Sequence, residues 1–230
     1  MAQVLNLQQS SKPIPILYQD ERVVVFDKPA GLLVIPTPAQ ETRTLVSIVN
    51  AQYAPANRSY GLQLCHRLDR ETSGAIMFAK GKKNQKFMME LFEKRLIEKT
   101  YTAFIHGRLK IFKGKLKGRI SDFDQKKFSK NPFAKFAQTR YKVIELNTEF
   151  SIVEVYPLTG RTNQIRIQFS QLGFPLVGER KYAFPRDYRL KFRRVALHAS
   201  RLHWKYPDTG RIVDVVAPMS QDMKNFLELH

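Results

Sequence analysis

Apolar residues fall along this chain in short blocks, and the spacing within them switches between a period of two and a period near 3.6. The stretch RVVVFDKPAGLLVIP (22–36) holds two apolar runs around Pro29-Ala30-Gly31, which predicts two strands joined by a turn. Residues 44–53 place Leu45, Ile48, Val49 and Gln52 at helical spacing, with Thr44 as N-cap and Ala54-Pro55-Ala56-Asn57 as the breaker. SGAIMFAK (73–80) predicts a strand, and residues 82–97 predict a helix with Phe87, Leu91 and Phe92 on its apolar side. KTYTAFIHG (99–107) alternates, so a strand there puts Tyr101, Ala103 and Ile105 on one face.

The second half continues in short elements. In GKLKGRI a strand would carry Lys115, Lys117 and Arg119 on one face. FSIVEVYPL (150–158) predicts another strand. RTNQIRIQFSQLG (161–173) fits a strand through Ile165 and Ile167, and fits a helix through Ile165, Phe169 and Leu172. The helix is preferred, with Gly173 as its C′ residue. LHASRLHW, a Pro207-Asp208-Thr209-Gly210 turn and RIVDVVAP predict a hairpin, and Ser220 is the N-cap of a last short helix. Strands mixed with short helices predict an α+β fold with a mixed, mostly antiparallel sheet and flanking helices. Residues 1–14 are polar with prolines near their end and predict a flexible arm. Residues 15–230 predict one domain, since no repeat or shift in composition divides them.

Composition narrows the partners. Of 230 residues, 39 are Lys or Arg and 20 are Asp or Glu, so the formal charge is +19. That excess points to a polyanion, with nucleic acid ahead of an anionic membrane surface. No apolar stretch is long enough to span a bilayer. The start, MAQVLNLQQSSK, does not read as a signal peptide. The single Cys65 forms no internal disulfide, and no CxxC pattern offers a zinc site, so a cytoplasmic protein without a metal is expected. Neither GxGxxG nor GxxxxGK[ST] occurs, so no nucleotide cofactor is expected.

Candidate chemistry concentrates in LCHRLDRETSG (64–74). Arg67 and Arg70 flank Asp69 and favour its ionised form, and an ionised carboxylate can attack carbon. Local features fit a structural ion pair as well as a nucleophile. The string HRLDRETSG resembles the active-site motif of the RluA-type RNA pseudouridine synthases, HRLDxxTSG, and matches every fixed position: His66, Arg67, Leu68, Asp69, Thr72, Ser73 and Gly74. Three further segments resemble that family in order. They are ILYQDERVVVFDKPAGLLV, EKTYTAFIHG, and LTGRTNQIRIQFSQLGFPLVGERKYA followed by LHASRLHW. Together they cover roughly residues 16–217.

The resemblance implies the pseudouridine synthase fold with a central RNA-binding cleft. It implies an isomerase that breaks the N1–C1′ bond of a uridine, rotates the uracil and rejoins it through C5, with no cofactor. It assigns Asp69 as nucleophile, and attack at ribose C1′ and at uracil C6 both fit. Arg166 is the implied partner of that aspartate, and Tyr101 stacks on the uracil and assists loss of the C5 proton. Arg67 fills the gap left by the flipped uridine, and His66 is read as part of the loop structure. The chain departs from the family in RTNQIR, where Asn163 replaces a His, and in GERKYA (178–183) where the family has GDxxYG.

Basic residues gather at Lys80, Lys82, Lys83 and Lys86, across 108–119, and across 180–194, where Tyr182, Phe184, Tyr188 and Phe192 interleave. Basic residues among aromatics suit RNA with unstacked bases. Arg67, Arg70, Lys115, Lys117, Arg119, Arg161, Arg180, Lys181 and Arg193 are therefore expected to contact RNA. The expected partner is a ribosomal or transfer RNA stem-loop, engaged by a monomer in the cytoplasm. The alternative is an RNA-binding chaperone of the same fold that does not depend on catalysis.

Overall fold

The computed structural model describes residues 12–53, 61–121, 134–183 and 188–230. Among them, eight strands lie side by side in one sheet. Their order is β1 (Ile16–Gln19), β2 (Val23–Lys28), β4 (Ser73–Lys80), β9 (Leu197–Lys205), β5 (Ile97–His106), β8 (Phe150–Pro157), β7 (Lys135–Leu146) and β6 (Lys113–Ile120). Strand β3 (Leu62–Leu64) pairs with β4, and β10 (Ile212–Val216) pairs with β9. The pairs are antiparallel apart from β4 with β9, so the mostly antiparallel α+β expectation holds. No helix among the described residues is long and apolar enough to cross a membrane.

Both faces of the central strands are covered, which explains why VVVF and AIMFA are continuous apolar runs and do not alternate. Val24, Phe26, Ile76 and Phe78 join Ala103, Val153 and Phe169 on one side. Val23, Val25, Met77 and Trp204 join Met88 and Leu91 of helix α2 (Gly81–Glu93) on the other. A third cluster seats Met223 and Phe226 of α4 (Gln221–Leu229) on Phe104 and Phe150.

The parallel join positions the end of the LDRETSG loop at mid-sheet. It pairs Ser73 with His198 and Gly74 with Ala199. Gly74 has φ +104, and a Cβ there would lie 2.3 Å from the Ala199 carbonyl oxygen. Only glycine permits that approach.

Several local expectations hold. Helix α1 (Leu45–Tyr53) is capped by Thr44, whose Oγ1 accepts from the Ser47 N–H at 3.3 Å. Helix α3 (Gln164–Gln171) ends in the predicted manner, with Gly173 at φ +83 donating to Ser170 O and Phe174 N–H donating to Phe169 O, both at 3.0 Å. Ile14, last residue of the expected arm, is buried, and Gln52 binds its main chain on both sides at 2.8 Å. The predicted breaker Ala54–Asn57 lies outside the described residues.

Three expectations are corrected. Leu32–Pro36 is not a strand. Its carbonyls at Leu33 and Val34 accept the N–H groups of Leu45 and Val46, serving the open end of α1. The antiparallel neighbours of β2 are instead β1 and β4. The helix over 82–97 stops at Glu93, because Arg95 takes the left-handed conformation at φ +58 and turns the chain into β5. Ser220 occupies the N-cap position of α4 but makes no side-chain cap; its hydroxyl accepts from Arg194 at 2.8 Å.

Candidate active site

The loop between β3 and β4 carries Asp69, and every main-chain carbonyl from 69 to 72 has a donor. Thr72 N–H donates to Asp69 O at 3.1 Å, and Gly31 N–H donates to Arg70 O at 2.8 Å. The guanidinium of Arg194 reaches Glu71 O at 3.0 Å. The Lys28 ammonium reaches Pro29 O, Arg70 O and Thr72 O at 3.0, 3.1 and 2.8 Å. Lys28 is fully buried, at 0% exposure. Three donors meeting three carbonyls suit an ammonium, although burial and Arg194 push its pKa down to about 7 against the pull of Asp69. A loop satisfied in this way holds its side chains in place.

Asp69 lines a cavity of about 210 Å³ with Arg67, Lys99, Tyr101, Arg161, Asn163 and Arg166. Tyr101 reaches it from β5, on the face predicted by the alternation. Burial, and then the charge of Asp69, raise the pKa of Tyr101, so it is a neutral phenol at rest. Arg166 and Asn163 reach the cavity from the start of α3. Two buried glutamines fasten that helix to the sheet. Gln164 Nε2 donates to Thr139 Oγ1 at 2.9 Å, and Thr139 Oγ1 donates to Gln168 Oε1 at 2.5 Å.

The sequence reading assigned Arg166 to Asp69. In the structure Arg166 shares a cavity with Asp69 and pairs with a different carboxylate, Glu179, which takes its Nε at 2.7 Å and Nη2 at 2.9 Å. The third edge, Nη1, donates to Asn163 Oδ1 at 2.9 Å. Burial works against the charge on Arg166, but Glu179, then Asp69 and Glu71, outweigh it and raise its pKa. Glu179 also accepts main-chain N–H groups from Arg180, Lys181 and Tyr182 at 3.0, 2.7 and 3.1 Å. Its pKa is lowered although burial opposes that, because Arg166 and these amides favour the carboxylate. Asn163 sits at φ 52, a left-handed position that Asn tolerates, so the change from His retains both the backbone turn and an acceptor for Arg166.

His66 serves the loop, as read from the sequence. Its Nε2 accepts the Met77 N–H at 3.0 Å and its ring leans on Phe92 at 4.8 Å. Burial, then the nearby charge of Lys99, lower its pKa to about 3. A folded-state value below the unfolded 6.5 gives stability that is complete above pH 6.5 and lost as pH falls toward 3. Between pH 7.5 and 5 this site is expected to cost about 2 kcal/mol. Urea unfolding of His66→Gln at both pH values should show that much less acid sensitivity than the parent.

The predicted RNA contacts divide. Arg67 and Arg161 are exposed and line both the Asp69 cavity and a larger one of about 620 Å³ beside it. Arg70 does not line the Asp69 cavity; it borders a separate pocket with Pro29 and Gly31, and its Nε donates to Gly31 O at 3.1 Å. Lys115, Lys117, Arg119, Arg180, Lys181 and Arg193 are exposed and line neither cavity. Arg194, counted within the basic cluster, is buried against Asp222 and the loop carbonyls.

The interleaved aromatics are corrected as well. Tyr182 is buried beneath Arg166, Phe192 packs edge-on to Phe226, and Tyr188 stacks on His106 at 4.3 Å. Phe184 lies outside the described residues. Lys28, Lys99, Arg194 and Glu179 were not foreseen. For Glu179 the available signal was an acid directly after Gly178, at the head of a mostly basic stretch.

Comparison with known proteins agrees with this geometry. Residues 22–171 match the family model described as RNA pseudouridylate synthase. The Bacillus subtilis protein named uncharacterized RNA pseudouridine synthase YlyB is 32% identical over 98% of this chain and 76% of its own. The ribosomal large subunit pseudouridine synthase D of Neisseria meningitidis is 32% identical over 94% of this chain and 61% of its own. The solved structure of human RNA pseudouridylate synthase domain containing 4 covers 93% of this chain and 91% of its own with a TM-score of 0.76, and at 24% identity it speaks for the fold. A slot that gathers a carboxylate, a buried tyrosine and a guanidinium, on this sheet and in this motif order, therefore has one reading: the chain belongs to the RluA-type RNA pseudouridylate synthase family, an isomerase family acting on RNA.

Proposed function

We propose that this enzyme converts specific uridines to pseudouridine in structured ribosomal or transfer RNA, with Asp69 as the nucleophile on a base flipped out of its stack. The carrying observation is the convergence of Asp69, Tyr101 and Arg166 on one cavity of about 210 Å³. That volume is below the range of about 300–1,000 Å³ usual for larger ligands, and it suits a single pyrimidine. A stacked uridine reaches it only by eversion, and the exposure of Arg67 on the cavity lining supports the reading that it fills the gap. The Neisseria relative is named for ribosomal RNA, which supports that substrate class here.

In the reaction Asp69 bonds to the substrate, the N1–C1′ bond breaks, the uracil turns and C5 bonds to C1′. The bond to Asp69 also breaks, the C5 proton leaves and N1 gains a proton, so the product is an isomer and the carboxylate is restored. Arg166 supplies positive charge to the cavity of Asp69 before attack. With attack at uracil C6 the adduct persists while the C5 proton leaves, and one cause of the raised Tyr101 pKa is then absent. Phenolate formation becomes easier at the step where the C5 proton must be taken. Residues 15–230 serve as one catalytic domain, monomeric and cytoplasmic.

Carbodiimide-adduct mapping of cellular RNA, with and without the gene, tests the function. One or a few stops should vanish on deletion and return with the wild-type gene. Unchanged stops beside intact RNA binding would favour the chaperone reading.

A further inference from the structure

The register of β6 with β7 sets like charges opposite one another on the open face of the sheet. Lys113 faces Lys142 and Lys115 faces Arg140, while Lys117 faces Gln138 and Arg119 faces Phe136. All six cations are exposed. Among the described residues, none of them takes part in an ion pair. Glu154 lies opposite Lys142 on β8, but its carboxylate accepts the Tyr156 hydroxyl. Like charges paired across strands destabilise a sheet. Folding therefore gives no reason for this arrangement, whereas a polyanion does.

The face also leads to the catalytic slot. Arg140 pairs with Tyr156 across β7 and β8, and both line the cavity of about 620 Å³. That cavity shares Arg67, Lys99 and Arg161 with the Asp69 slot. Lys99 has burial lowering its pKa, and its ammonium lies 5.9 Å from the ring centre of Phe92. Cations thus run without a break from β6, through Arg140, to the nucleophile. Along β6 the exposed cations recur at every second residue, about 6.7 Å apart. This spacing is close to that of successive phosphates on one RNA strand, and four such residues extend over about 20 Å.

Resting on the synthase reading, we infer that this face binds the helical stem flanking the target loop, with Arg140 joining the stem track to the cleft. The enzyme then recognises a stem by its phosphates, independently of sequence, and the loop through the slot. A substrate lacking a stem is bound by the cleft alone.

The test compares wild-type protein with Lys113→Gln/Lys115→Gln, which line neither cavity, by fluorescence anisotropy across a salt series. The probes are an RNA hairpin with a stem of about one helical turn, and its loop as a linear oligonucleotide. Affinity for the hairpin should fall about tenfold and the log–log salt slope should fall by about two. Affinity for the linear probe should stay within about twofold, and the thermal midpoint should be unchanged or higher, as like charges are relieved. Equal losses on both probes, or no loss on the hairpin, would overturn the stem track. Binding is read without turnover, so this outcome is separate from whether uridine is isomerised.

Discussion

Asp69→Asn should abolish isomerisation, by at least about 10⁴-fold, while RNA affinity changes only a few-fold. An amide occupies the same space but cannot form the covalent bond, and the remaining contacts to RNA are untouched. The convenient readout is release of label from RNA carrying tritium at uridine C5, since that hydrogen leaves in the reaction. Lys28 and Arg194 keep the loop in place regardless of residue 69, so a folded, RNA-binding and inactive protein is expected. Turnover by the Asn variant at the parental rate would remove Asp69 from the role of nucleophile.

Glu179→Ala should have the largest effect on stability, about 3–5 kcal/mol. The Glu179 side chain is 1% exposed and Arg166 is 12% exposed. Removing the acid leaves a buried guanidinium without its two-point partner and three main-chain amides without an acceptor. Burial disfavours an unpaired charge, so Arg166 should swing toward Asp69 or solvent and activity should fall with stability. Glu179→Gln keeps one acceptor oxygen and should lose roughly half as much. The denaturant midpoint separates the two variants from the parent. A Glu179→Ala protein as stable as the parent would mean that Arg166 does not depend on this pair.

Elements set by short-range pattern were legible in the sequence. Strand β5 follows its alternation, with Tyr101, Ala103 and Ile105 facing one core cluster. The β9–β10 hairpin follows its Pro207–Gly210 turn, and α3 stops at Gly173. The loop motif around Asp69 was also legible, because its residues are consecutive. Each of these rests on neighbours within a few positions, where backbone preference and side-chain periodicity act directly.

What the sequence by itself determined, then, is the α+β order of elements, the polyanion partner and the loop that bears Asp69. The tertiary structure alone decided which charges are buried and for whom. Lys28 lies under residue 72, Arg194 under residue 71, and Glu179 behind Arg166, at separations of 44, 123 and 13 residues. A charged side chain read in isolation is assigned to the surface, because burial without a partner is unfavourable. Whether a partner exists depends on chain segments that meet only after the sheet has closed. The same holds for Lys115 and Arg140, whose shared face comes from strand register and not from distance along the chain.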